Sequence, residues 1–96
     1  MQLERLMGCT AHDLQRWLPD ALGPYYSRCS LEIDGINIIS TEDPIVQMVG
    51  VTKSDRQIAL LRIPQLLLQL EFTDLTDHQI QELLERFDLY TRRGGG

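Results

Sequence analysis

Few side chains in this 96-residue chain have both the type and the spacing to do chemistry. Cys9 and His12 stand three apart, a spacing found in metal sites. A zinc ion takes four ligands, or three and a water. The other groups on offer are Cys29, His78 and carboxylates, with no second close pair. The spacing therefore reads as a small buried thiol and a surface histidine in a first helical turn, and no metal or other cofactor is expected.

His78 follows Asp77, and a histidine beside a carboxylate can serve as a general base. At the start of a helix, however, the dipole disfavours the charged imidazole. No Ser or Cys is spaced as the nucleophile of a triad. Glu32, Asp34, Glu42 and Asp43 cluster along the chain, and paired carboxylates can move protons or hold a hard cation. Here they fall in turn-forming stretches, where Asp serves backbone geometry. Tyr25 and Tyr26 with Arg28 have the make-up of a stacking platform for single-stranded nucleic acid. Neither a GxxxxGK[ST] nor a GxGxxG phosphate loop occurs. The pattern yields no catalytic set, so an enzyme is not the expected class.

Charge narrows the partners. Fourteen acidic against nine basic residues leave a net charge of −5. Such a surface repels nucleic acid and anionic membranes unless a basic patch overrides it. No stretch reaches the eighteen apolar residues of a membrane span. Two cysteines are too few for the disulfide framework of a small secreted domain. The opening MQLERLMGCT holds Glu4 and Arg5 inside it and no apolar run long enough for a signal peptide. A cytoplasmic protein with reduced thiols is the expectation.

The elements that must position these groups are read from periodicity. Residues 1–8 are ambiguous: Leu3, Leu6 and Met7 have helical spacing, but the piece is too short to be stable alone. Thr10 caps a helix, with Asp13 in the capping-box position, and Leu14, Trp17, Leu18, Ala21 and Leu22 form its apolar stripe. Pro19 predicts a kink or a stop near Leu18. A hairpin follows, with Asp34-Gly35 as a type I′ turn, Ile33 facing Ile36 and Leu31 facing Ile38. Its first strand begins as early as Tyr26. Residues 40–44 form a turn, 45–52 a third strand and 53–55 another turn. Residues 57–63 read as a fourth strand. Pro64 marks a bulge, a bend or a break before 65–72, where Leu66, Leu68, Leu70 and Phe72 alternate with mostly polar residues. Thr76 and Gln79 box the start of a last helix, with Leu75 and Ile80 as its hydrophobic staple. Ile80, Leu83, Leu84 and Phe87 form its apolar stripe.

The final Arg92-Arg93-Gly94-Gly95-Gly96 resembles the diglycine tail of ubiquitin-type proteins over those residues alone. The ubiquitin fold runs from a strand into its tail, whereas a helix precedes this one. The segment 92–96 therefore reads as a flexible terminus.

Residues 1–91 are thus expected to form a single two-layer α+β domain. Its sheet has four to five antiparallel strands, with the N-terminal and C-terminal helices packed on one face. Ile39, Val46, Leu61 and Leu67 fall where alternation leaves apolar side chains toward solvent. Large exposed apolar patches mark interfaces, so the expected function is a non-enzymatic interaction module that binds a protein partner or forms a homo-oligomer. The alternative is a small-molecule-binding domain, its pocket lined by Trp17, Tyr25, Tyr26 and Met48, with His12 beside them.

Overall fold

The computed structural model describes residues 2–92. Its elements are β1 (Gln2–Met7), α1 (Ala11–Leu22), a 3-10 segment (Gly23–Arg28), β2 (Cys29–Ile33), β3 (Ile36–Ile39), β4 (Val46–Ile58), β5 (Leu61–Phe72) and α2 (Asp77–Thr91). The five strands form one sheet in the order β1-β5-β4-β2-β3. This is an α+β arrangement, but the sheet is mixed. β4 runs parallel to β2, and the other three pairings are antiparallel. The expectation of a wholly antiparallel sheet assumed that successive strands lie side by side. Instead residues 40–45 carry the chain back past β2, so that β4 enters the sheet between β2 and β5. Arg28 pins that return: its carbonyl accepts from the Ile45 amide at 2.9 Å, and its guanidinium meets Asp43 at 3.3 Å.

β1 replaces the helical turn considered at the N-terminus. A short segment has little intrinsic preference strong enough to resist its surroundings. Pairing from Gln2↔Glu71 to Met7↔Leu66 decides the matter. Leu3, Arg5 and Met7 are half-buried while Gln2, Glu4 and Leu6 are exposed, the period of two that a strand requires.

α1 begins as the capping box predicts, with Asp13 in the reciprocal role: the Asp13 amide donates to Thr10 Oγ1 and the Thr10 amide to Asp13 Oδ2. The helix does not stop at Leu18. It continues past Pro19 to Leu22, because Leu18, Ala21 and Leu22 are buried on its inner stripe while Pro19 is exposed. Gly23 then turns the chain with φ of 56°, a backbone that L side chains avoid. The strand expected from Tyr26 begins at Cys29 instead, after the 3-10 turn.

The Asp34-Gly35 turn has positive φ at both positions, 52° and 82°, as a type I′ turn demands. Ile33 pairs with Ile36, but Leu31 pairs with Ile39 rather than Ile38, because Ile38 is bulged out of register.

The turn assigned to residues 53–55 is not there. β4 runs on to Ile58, and the chain reverses at Ala59-Leu60. Pro64 is the reason. It has no amide to donate, and Ser54 and Asp55 together take the place opposite it as a bulge between the pairs Lys53↔Gln65 and Arg56↔Ile63. The turn chemistry of Ser54-Asp55 is thus spent inside the ribbon.

One cluster of buried side chains holds Leu14, Leu18 and Leu22 of α1, Leu66, Leu68 and Leu70 of β5, and Ile80, Leu83 and Phe87 of α2. Thr76 and Gln79 form the expected box on α2. Arg86 of α2 donates to the Asp20 carbonyl of α1 at 2.7 Å. The residue that would normally satisfy that carbonyl, four positions on, is Pro24, which has no N–H. Of the tail expected at 92–96, Arg92 ends α2 and residues 93–96 lie outside the described residues.

Candidate interaction surface

The pairing register places side chains in rows across the sheet. Leu66, Leu68, Leu70 and Phe72 point to the buried side, with Val46, Met48 and Gly50 beside them on β4. The opposite side is exposed. Across its middle, Leu6 of β1, Leu67 of β5 and Val51 of β4 lie in one row. Val49 flanks them, and Leu6 is 61% exposed. An open sheet face normally carries polar residues at these positions, and three adjacent strands here supply apolar ones.

Beyond Gly50 and Leu66, β4 and β5 have no further neighbours and continue as a two-stranded arm. Residues 51–62 are exposed throughout. Ile63, Leu61 and Ile58 fall on the same side of the arm as Leu67 by pairing and alternation. Apolar side chains of the open face therefore recur along the arm to its tip, interrupted by Lys53, Gln65 and Arg56. There Leu60 is 99% exposed and Leu61 66%. Ala59 adopts φ of 54° to make the turn, although neither turn residue is one that such turns favour.

Charge divides along the same surface. Lys53 and Arg56 lie on the arm's apolar side. Glu32 and Glu71 lie on the open face at the other end, in rows with Val49 and Gln47. Among the described residues, none of these four forms an ion pair within the chain.

The residues singled out for an interface separate into two groups. Leu61 and Leu67 lie on the exposed side. Val46 and Ile39 do not: Val46 is 0% exposed, and Ile39 is half-buried against the core beside Leu31. The Ile38 bulge turns Ile39 to the Leu31 side, and β4 starts its alternation at Val46, opposite buried Phe72, rather than at Ile45. Alternation missed Leu6, Val49, Val51, Ile58 and Leu60. The signal for the last two was present, because residues 58–61 contain no polar side chain.

The residues singled out for a ligand do not converge. Met48 is closed within the core. Tyr25 lines an open cleft of about 620 Å³ with Leu22, Pro24, Arg86 and Leu89, between the 3-10 segment and α2 rather than between sheet and helices. Trp17 lines a separate depression with Tyr90. Tyr26 is half-buried against the core and borders neither.

Cys9 is buried and His12 exposed, so the pair does not present two ligands to one point. Among the described residues no three His, Cys, Asp or Glu side chains gather as a metal site. Burial, with the Asp13 carboxylate nearby, pushes the Cys9 thiol up to about 11, and burial raises Cys29 as well. Neither is poised as a nucleophile, which requires a lowered value. His78 pairs with Glu82 at 2.8 Å on an exposed stretch of helix. Asp34 is occupied structurally: the Thr52 hydroxyl at 2.6 Å and amide at 2.9 Å hold its carboxyl below the usual carboxylate range. No helix among the described residues is long and apolar enough to cross a membrane.

Comparison of the chain with protein-family models, with curated proteins and with solved structures found no match in any of the three.

Proposed function

We propose that the chain is a non-enzymatic protein-interaction module that self-associates. In this reading both helices cover the buried side of the sheet and leave the other side for a partner. The observation that carries it is the arm tip, where Leu60 is 99% and Leu61 66% exposed on a ribbon with no neighbouring strand. Holding such side chains in water is unfavourable, and burying one leucine is worth about 1.5–3 kcal/mol. A two-stranded ribbon is also marginal by itself, so a partner would stabilise the arm as well as cover it. A cytoplasmic setting belongs to the same reading and is supported by two unpaired thiols, Cys9 and Cys29.

Light scattering on the Leu60→Asp, Leu61→Asp double variant tests the proposal against the unaltered chain. The unaltered chain should have the mass of an oligomer and the variant that of a monomer, with equal helix and sheet content by circular dichroism. Identical masses for the two would contradict it.

The cleft at Tyr25 favours a second reading, a small apolar ligand held between Leu22, Pro24 and Leu89. Its signature would be a rise in melting temperature with one member of a metabolite panel, abolished by Tyr25→Ala.

A further inference from the structure

The open side of the sheet and arm is complementary to itself. Taking the Leu6–Leu67–Val51 row as the middle, Lys53 lies one row toward the tip and Arg56 two rows. Glu32 lies one row the other way, beside Val49, with Glu4 at the far end of that row and hydrogen-bonded to Gln69, and Glu71 lies two rows away, beside Gln47. The cations and the acids are thus spaced at equal and opposite steps from an apolar centre.

We infer that the partner on this face is a second copy of the chain, stacked face to face across a two-fold axis lying along that central row. The inference rests on the self-association proposed above and specifies its geometry. Such an axis reverses strand direction and keeps each strand over its own mate. Leu6, Leu67 and Val51 then meet the same three residues of the other copy. Lys53 comes over the row of Val49, with Glu32 one strand away, about 4.8 Å to the side. Arg56 comes over the row of Gln47, with Glu71 one strand away on the other side. Each contact occurs twice, as a closed isologous interface requires. Leu61 and Ile58 reach the row of Thr73, just past the end of β5 in the other copy.

The facing area is narrow, because each arm is two strands wide. Six row intervals of about 6.7 Å give a length of about 40 Å, and two strands give a width of about 10 Å. That is on the order of 400 Å² per copy, the scale of a weak association that depends on concentration. The two sheets would pack about 10 Å apart. A face carrying Lys53 and Arg56 at one end and Glu32 and Glu71 at the other has no matching feature in nucleic acid, whose phosphates would meet the acids.

The test is a charge exchange. One variant carries Lys53→Glu and Arg56→Glu, the other Glu32→Lys and Glu71→Lys. All four positions are outward-facing, and circular dichroism and melting temperature check that each variant folds. In sedimentation velocity, each variant alone should dimerise at least about tenfold more weakly than the unaltered chain, because the two-fold axis doubles every like-charge contact. An equimolar mixture of the two should recover the dimer, since each then presents the charges that the other lacks. If both variants dimerise as well as the unaltered chain, or if mixing restores nothing, the stacking is wrong even though self-association stands. If the unaltered chain is a monomer, the proposed function fails and this geometry with it. Retardation of a nucleic-acid probe that is lost with the Lys53 and Arg56 changes, without any dimer, would assign the arm to a different partner and overturn the inference.

Discussion

Asp34 illustrates how a residue that looks available for chemistry is already committed to structure. It takes a positive φ to form the hairpin turn, its amide donates to the Gly50 carbonyl, and its carboxylate binds both polar groups of Thr52. Those hydrogen bonds favour the charged form and lower its pKa from the ordinary 3.8. The stabilisation is therefore complete above that value. It is lost as pH falls from 3.8 through the lower folded-state value, because the unfolded chain takes up the proton first. Urea unfolding between pH 6 and pH 2.5 should show the gap between the unaltered chain and Asp34→Asn narrowing only below about pH 4. A gap independent of pH would mean that the carboxylate charge contributes nothing. The cysteines make a parallel case. Cys9 and Cys29 should react with a thiol reagent only slowly in the folded protein at pH 8, and rapidly once urea unfolds it. Fast labelling of either in the native state would contradict their burial.

Secondary-structure elements were legible wherever a local rule acts alone. Thr10 with Asp13, Thr76 with Gln79, and Asp34 with Gly35 each specify their neighbours' backbone over four residues or fewer, and all three form as read. The errors lie where a distant partner decides. β1 exists because β5 offers an edge, and β4 is parallel to β2 because the return loop passes Arg28. The turn at Ala59-Leu60 was hidden because Ser54-Asp55 has better turn chemistry, and only the absence of an amide at Pro64 shows that those residues are a bulge. The exposed arm was missed for that reason, and most of the candidate surface with it. Two tests belong to this scale. Gly23→Ala forces an L side chain to φ of 56° and sets its Cβ 3.1 Å from the Arg86 guanidinium. It should lower stability by about 1–3 kcal/mol in chemical unfolding. Replacing residues 53–65 with a two-residue Asn-Gly turn should leave the body folded, because the buried cluster draws on no residue from 49 to 65. The shortened protein should keep a cooperative melt while losing the arm's contribution to association. A molten state would show that the arm is part of the core after all.

Across the whole molecule the surface is divided in two. On one side of the sheet the strands' side chains are buried, in one apolar cluster with the buried residues of both helices. The other runs the length of β4 and β5, a large part of the molecule's longest dimension of 44 Å, and carries its apolar residues in water. Exposed apolar area on this scale is what the proposed self-association would bury. A sedimentation-equilibrium series over about three decades of concentration addresses this most directly, because a two-fold association follows mass action. The weight-average mass of the chain should rise from near 11.0 kDa toward twice that value. A mass fixed at 11.0 kDa at every concentration would contradict the account.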